Sequence, residues 1–235
     1  MKCFILIIIL SLLLIPISQA QERFGERFCK DPDFFCLKIE KNQSWANLFP
    51  NLEARDLVRR LNRMNVRLKP GMVIAIPQKL DRLTIYDLSP FPRYIQATGE
   101  KTIYVSQSKL AWGAFDEEGK LVWWGPISSG LEKCKSYGGC ETPTGSYRII
   151  RKQDIDCIST AFPIRADGEN GGAQMPFCMH FFRGYALHGS EEVPGYRASH
   201  GCVRLFTEDA RWLNEDFIDT PANGMKGTRV IIDAI

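Results

Sequence analysis

The sequence predicts a mainly β protein, α+β overall, with a small strand–helix–strand unit ahead of a larger β domain. Three observations carry this. Apolar residues recur at helical spacing in one short stretch near the N-terminus, a Pro-Gly turn and a strand follow it, and most of the remaining chain reads as branched and aromatic runs separated by Gly-containing turns.

The chain of 235 residues opens with "MKCFILIIILSLLLIPISQA", one early lysine and then a largely apolar run ending in small and polar residues. This is the layout of a secretory signal peptide over residues 1–20, with cleavage expected after Ala20. A retained N-terminal anchor is the alternative, but the run is short for a membrane span. The expected location is outside the cytoplasm. The remaining length suits one medium domain and one small one. A net charge of +3 is too small to point to nucleic acid.

Seven cysteines lie beyond residue 20, an odd number in an oxidising compartment. Pairing near neighbours gives Cys29–Cys36, Cys134–Cys140 and Cys157–Cys178, with Cys202 left free, although six cysteines allow other connectivities.

The small unit is expected over residues 34–78. "FCLKIE" reads as a strand, and "LEARDLVRRLNRMN" as a helix with Leu57, Val58, Leu61 and Met64 on one face and Asn65 as its stop. "LKPGMVIAIP" supplies a turn and a second strand ending at Pro77. So small a core is marginal alone and is expected to lean on its neighbour. Residues 79–100, with Pro90 and Pro92, read as a linker, and 101–235 as the larger domain. There, "TIYVSQS", "LAWGAFD", "LVWWGPISSG", "GSYRIIRK" and "GTRVIIDAI" are strands, and Thr207 caps a helix through "EDARWLNEDFI". Trp112, Trp123 and Trp124 are expected on strand faces and in the core, not as a sugar platform.

The chemistry concentrates near the end, in "GYALHGS" (Gly184–Ser190) and "SHGCVR" (Ser199–Arg204). An unassisted thiol is only slightly ionised at neutral pH, and an imidazole can take its proton and return it to a leaving amine. Glycines beside His188 and Cys202 allow close approach of a substrate backbone, and backbone N–H groups there can face an oxyanion. A metal site is the rival reading, since Cys178, His180, His188, His200 and Cys202 are all ligand types, but their spacing is not that of common structural zinc. His180, with no glycine or nucleophile beside it, is expected to be structural.

From about Thr102 onward the chain resembles the YkuD-type L,D-transpeptidase catalytic domain. "LHGS" and "SHGCVR" match that family's motif, and "SSG", "TPTGSYRI", "MPFCMHF" and "GYALHGS" occur in its order. The resemblance implies a β-sandwich domain with Cys202 as nucleophile and His188 as acid/base. It also places Gly189 in the histidine's turn, has Ser199, His200 and Gly201 shape the nucleophile loop, and has Arg204 orient a substrate carboxylate or the loop. The amides around Gly201 and Cys202 become the expected oxyanion donors. The implied substrates are peptidoglycan tetrapeptide stems on glycan strands, cleaved through a thioester without metal or cofactor. The acceptor is then a stem amine (a 3–3 cross-link), a protein such as an outer-membrane lipoprotein, or water, in the periplasm or wall of a bacterium. The N-terminal unit is similar to a LysM module, on "KNQSWANLF", "RRLNRMN" and "LKPGMVIAIP", with Asn42-Gln43-Ser44 where Gly-Asp-Ser is usual. A sortase, a papain-like peptidase, whose nucleophile precedes its histidine, and a non-catalytic wall-binding protein are the alternatives weighed.

Overall fold

The computed structural model describes residues 21–132, 134, 140–163, 171–222 and 224–233. The expected signal peptide at 1–20 lies outside the described residues. The small unit holds two antiparallel strands, β1 (Phe34–Lys38) and β2 (Val73–Pro77), with Phe34 facing Pro77 and Lys38 facing Val73. Between them run two helices where one was expected, α1 (Trp45–Leu48) and α2 (Leu52–Leu61). Ser44 and Asn51 start them, each side chain accepting a backbone N–H of the first turn. Leu57, Val58, Leu61 and Met64 are buried, as their spacing predicts. The helix stops earlier than Asn65. Asn62 caps it, bonding through its side chain to the Val58 and Ala75 carbonyls, and Arg63 adopts φ +52°.

A 3-10 helix over Phe24–Lys30 precedes β1 and is tied to it by the Cys29–Cys36 disulfide. Residues 79–100 are not a free spacer. They fold as two 3-10 turns, and Ile85, Tyr86, Leu88, Phe91 and Ile95 pack on Phe115, Leu121 and Trp124 of the larger domain. Their apolar side chains hide from water only against that face, which is why a Pro-rich stretch is ordered here.

The larger domain begins with β3 (Thr102–Ser106), β4 (Ala111–Phe115) and β5 (Leu121–Ser128). It continues through β6 (Gly145–Arg148), β7 (Arg151–Lys152), β8 (Met179–Phe182), β9 (Tyr185–Gly189) and β10 (Val203–Leu205), then α3 (Thr207–Trp212) and β11 (Arg229–Ile232). The strands form one sheet in the order β6-β11-β3-β4-β5-β10-β9-β8-β7. Its two end strands, β6 and β7, are separated by only Ile149 and Ile150. The Ile149 N–H donates to Thr228 O at one edge and the Ile150 N–H to His180 O at the other, at 2.9 and 2.8 Å. The sheet therefore curls upon itself, and the expected sandwich is one sheet folded over rather than two separate ones. "GSYRIIRK", read as a single strand, is split at this crossing.

The enclosed core contains Ile103, Trp112, Ile127, Leu187, Val203, Leu205 and Val230, closed over by Leu213 and Phe217 from the turns after α3. Trp112 and Trp124 are fully buried, and the Trp123 Nε1–H donates to Asp209 Oδ1 at 3.1 Å. Thr207 does not cap α3: Phe206 occupies that position, and the Thr207 hydroxyl bonds to Glu191 Oε1.

Candidate active site

β9 and β10 lie side by side and parallel, with Leu187 opposite Val203 and His188 opposite Arg204. Parallel neighbours in register present their side chains on the same face. Leu187, Val203 and Leu205 point into the core. His188, Arg204 and Cys202, one residue before β10, share the opposite face and line a cleft of about 910 Å³. The pairing that fills the core thus also places the two chemical residues on one wall.

His188 is buried, and its Nδ1 lies 2.9 Å from Gly189 O. A carbonyl only accepts, so Nδ1 carries the proton and Nε2 is left bare, the tautomer a base requires. Burial pushes the imidazole's pKa down to about 4, with the Arg204 and His180 charges adding to the fall and the Gly189 carbonyl opposing it. At neutral pH the ring is uncharged. Gly189 is held by its N–H to Pro176 O at 2.8 Å, and a Cβ there would lie 3.0 Å from the Thr207 Cα.

Cys202 is the free cysteine among the described residues; the other six form Cys29–Cys36, Cys134–Cys140 and Cys157–Cys178, the near-neighbour pairing. Its thiol faces the Gly184 carbonyl at 3.8 Å and keeps an edge open to the cleft. Desolvation raises the thiol's pKa above its ordinary value, while the Ala186 N–H and the Arg204 charge pull it down. The resting cleft therefore presents a neutral thiol and a neutral imidazole on one wall, not an ion pair.

The loop before Cys202 is pinned from within. The buried Ser199 hydroxyl accepts the Gly201 N–H at 3.1 Å and donates to the Cys202 carbonyl. The Gly201 amide, expected as an oxyanion donor, is thus spent on Ser199. Gly201 sits at φ +116°, and a Cβ would lie 2.5 Å from Tyr185 Cε1. Thr142, buried and not singled out by the sequence reading, donates its hydroxyl to Gly201 O at 2.7 Å and accepts the Gly130 N–H at 2.9 Å. Thr142 opens the "TPTGSYRI" stretch on which the family resemblance partly rests, but its bond to the loop spans 59 positions of chain and only the fold reveals it.

His200 points outward and stacks on Phe162, ring centres 5.2 Å apart. Its ring lies within 4.8 Å of both the Cys134 and Cys140 sulfurs, but these are bonded to each other and are no thiolate pair. The rival metal set likewise loses Cys178, which is bonded to Cys157. Arg204 pairs with Glu192, through the carboxylate at 3.4 Å and the carbonyl at 3.3 Å. His180, expected as structural, lines the cleft as well; burial and the nearby Arg151 charge lower its pKa to about 4.

Fold and cleft together define a class, a curled mainly β domain with a free cysteine and a buried histidine on one cleft wall. The family model of the L,D-transpeptidase catalytic domain (YkuD) matches residues 100–232, and the chain belongs to that family. Among solved structures, the L,D-transpeptidase (residues 123–326) from Xylanimonas cellulosilytica is 21% identical, with 76% of this chain and 78% of that one covered at a TM-score of 0.51. An L,D-transpeptidase from Stackebrandtia nassauensis is 20% identical, with 77% and 78% covered at a TM-score of 0.48. No curated protein matches the chain.

Proposed function

We propose that this protein is a peptidoglycan L,D-transpeptidase that works through a Cys202 thioester. The observation that carries the reading is a free thiol and a buried neutral imidazole on one cleft wall, in a chain whose other described cysteines are paired. In the first step Cys202 attacks the carbonyl of the third residue of a tetrapeptide stem as its proton passes to His188 Nε2. The tetrahedral intermediate collapses to the thioester, and His188 returns the proton to the departing D-alanine amine. An amine then attacks the thioester, His188 taking its proton, and the thiol is restored.

Cys202 and His188 are the reacting residues. Gly189 orients the imidazole, Ser199, Gly201 and Thr142 shape the nucleophile loop, and Arg204 offers the cleft a cation. The Cys202 amide is the donor we assign to the oxyanion. His200, stacked outward, borders the cleft mouth. Three disulfides favour an exported chain in the periplasm or wall, consistent with a signal peptide.

The N-terminal unit we read as a LysM-like glycan-binding module. Its paired strands support this, as does a groove of about 590 Å³ bordered by Trp45, Leu52, Arg55 and Arg59. The test is mass spectrometry of muropeptides incubated with purified protein and with Cys202→Ala. A 3–3 dimer or a protein-linked stem supports transpeptidation and names the acceptor, and a tripeptide alone means trimming. An unchanged stem, or turnover by Cys202→Ala, overturns the reading.

A further inference from the structure

His188 and Cys202 are joined by a return segment that crosses from β9 back to β10, and residues of the N-terminal unit hold it. Asn65, buried just beyond α2, makes three bonds to it. Its backbone N–H donates to Val193 O at 2.9 Å, its Nδ2 donates to Ser190 O at 2.7 Å, and its Oδ1 accepts the Val193 N–H at 2.9 Å. Met64 bridges to Pro194, and the Phe24 N–H donates to Gly195 O at 2.8 Å. An asparagine side chain offers one donor face and one acceptor face, as a peptide group does, so Asn65 acts as a short added strand against the segment.

The held segment leads directly into the cleft. Ser190 follows the His188-Gly189 pair, and its N–H donates to Leu205 O at 2.9 Å. Glu192, between the two Asn65 contacts, grips Arg204, which lies in register with His188. We propose that Asn65 is a positioning residue: by clamping Ser190 and Val193 it fixes the placement of His188 and Arg204 relative to Cys202. The N-terminal unit then acts on the reaction itself as well as on attachment to the wall. This rests on the reading of His188 and Cys202 as the reacting pair.

The experiment uses the full chain as wild type, Asn65→Ala, Asn65→Asp and Asn51→Ala. Asp keeps the acceptor for Val193 but turns a second oxygen on the Ser190 carbonyl. Asn51 caps α2 through the Ala54 N–H at 2.9 Å, away from the return segment, and serves as a control for simple loss of stability. Thioester formation on a tetrapeptide, alkylation of Cys202 by iodoacetamide, and melting are measured for each.

The expected result is that both Asn65 variants lose kcat by about tenfold or more while KM stays within about twofold, and that Asn51→Ala melts lower with kcat intact. Wild-type kcat in the Asn65 variants, or a loss in Asn51→Ala matching theirs, overturns the proposal. If Asn65→Ala does not fold, Asn65→Asp decides by the same criteria. If wild type forms no thioester, the functional reading fails but the alkylation arm still decides. A several-fold change in the Cys202 alkylation rate in the Asn65 variants supports the clamp, and an unchanged rate overturns it.

Discussion

In the proposed mechanism, His188 and Cys202 divide the work by the state in which burial leaves them. A cysteine stored as thiolate beside imidazolium reacts over a wide pH range. Here desolvation acts on both partners in the opposite sense, lowering His188 to about 4 and raising Cys202. Ionisation is therefore coupled to attack. Alkylation of Cys202 by iodoacetamide is expected to climb steadily towards alkaline pH, with no plateau between pH 5 and 8; such a plateau would show a resting ion pair. The acid limb of kcat/KM is expected near pH 4, where His188 gains its proton and stops acting as a base, well below the 6.5 of an ordinary imidazole. The same depression makes stability depend on pH. Unfolded imidazoles take protons near 6.5 and the folded His180 and His188 only near 4, so as pH falls through this window the unfolded state binds more protons and stability drops. The contribution is complete above 6.5 and declines progressively towards 4. Melting curves over this range are expected to slope less steeply for His180→Gln than for wild type.

At the scale of elements, the nucleophile loop is held by two hydroxyls, each used once as donor and once as acceptor. Ser199 closes the loop on itself, and Thr142 links it to Gly130. Thr142→Val leaves the Gly130 N–H and the Gly201 carbonyl unpaired in the interior, and is expected to cost about 1–3 kcal/mol and to lower kcat while Cys202 remains present. Gly201→Ala meets both the positive φ and the Tyr185 ring, and roughly 1–3 kcal/mol is expected from the backbone conformation alone. Urea denaturation and thioester formation check both. These elements also show what the sequence could reveal. Short branched and aromatic runs separated by turns marked β3, β4, β5 and β11, because strand propensity is written locally. The motif around Cys202 and the glycine beside His188 were legible for the same reason. The break at Ile149–Ile150, the order of linker residues 79–100 and the role of Thr142 were not, since each depends on a surface assembled from distant segments.

Over the whole molecule, the junction between the two units contains a charge pair that water does not reach. Arg60 of α2 places its guanidinium against both Asp209 oxygens of α3, at 2.8 and 2.9 Å, with the pair's side chains 5% and 2% exposed. The same group donates to Trp124 O at 2.9 Å and lies over the rings of Trp123 and Phe206. Burial drives the Asp209 carboxyl towards its neutral form, and Arg60 with the Trp123 N–H pulls against it. Such a pair adds little net stability over a well-packed apolar replacement, but losing one member strands the other. Arg60→Met is therefore expected to destabilise the chain by about 3–5 kcal/mol, and Arg60→Met with Asp209→Leu by clearly less than the two single losses together. Because the pair, the Asn65 contacts and the packed stretch 79–100 all cross the junction, the two units are expected to unfold in urea as one cooperative transition. Two separated transitions, or additive losses in the double variant, would mean that the small unit is held only by its tether and that its grip on the return segment is incidental.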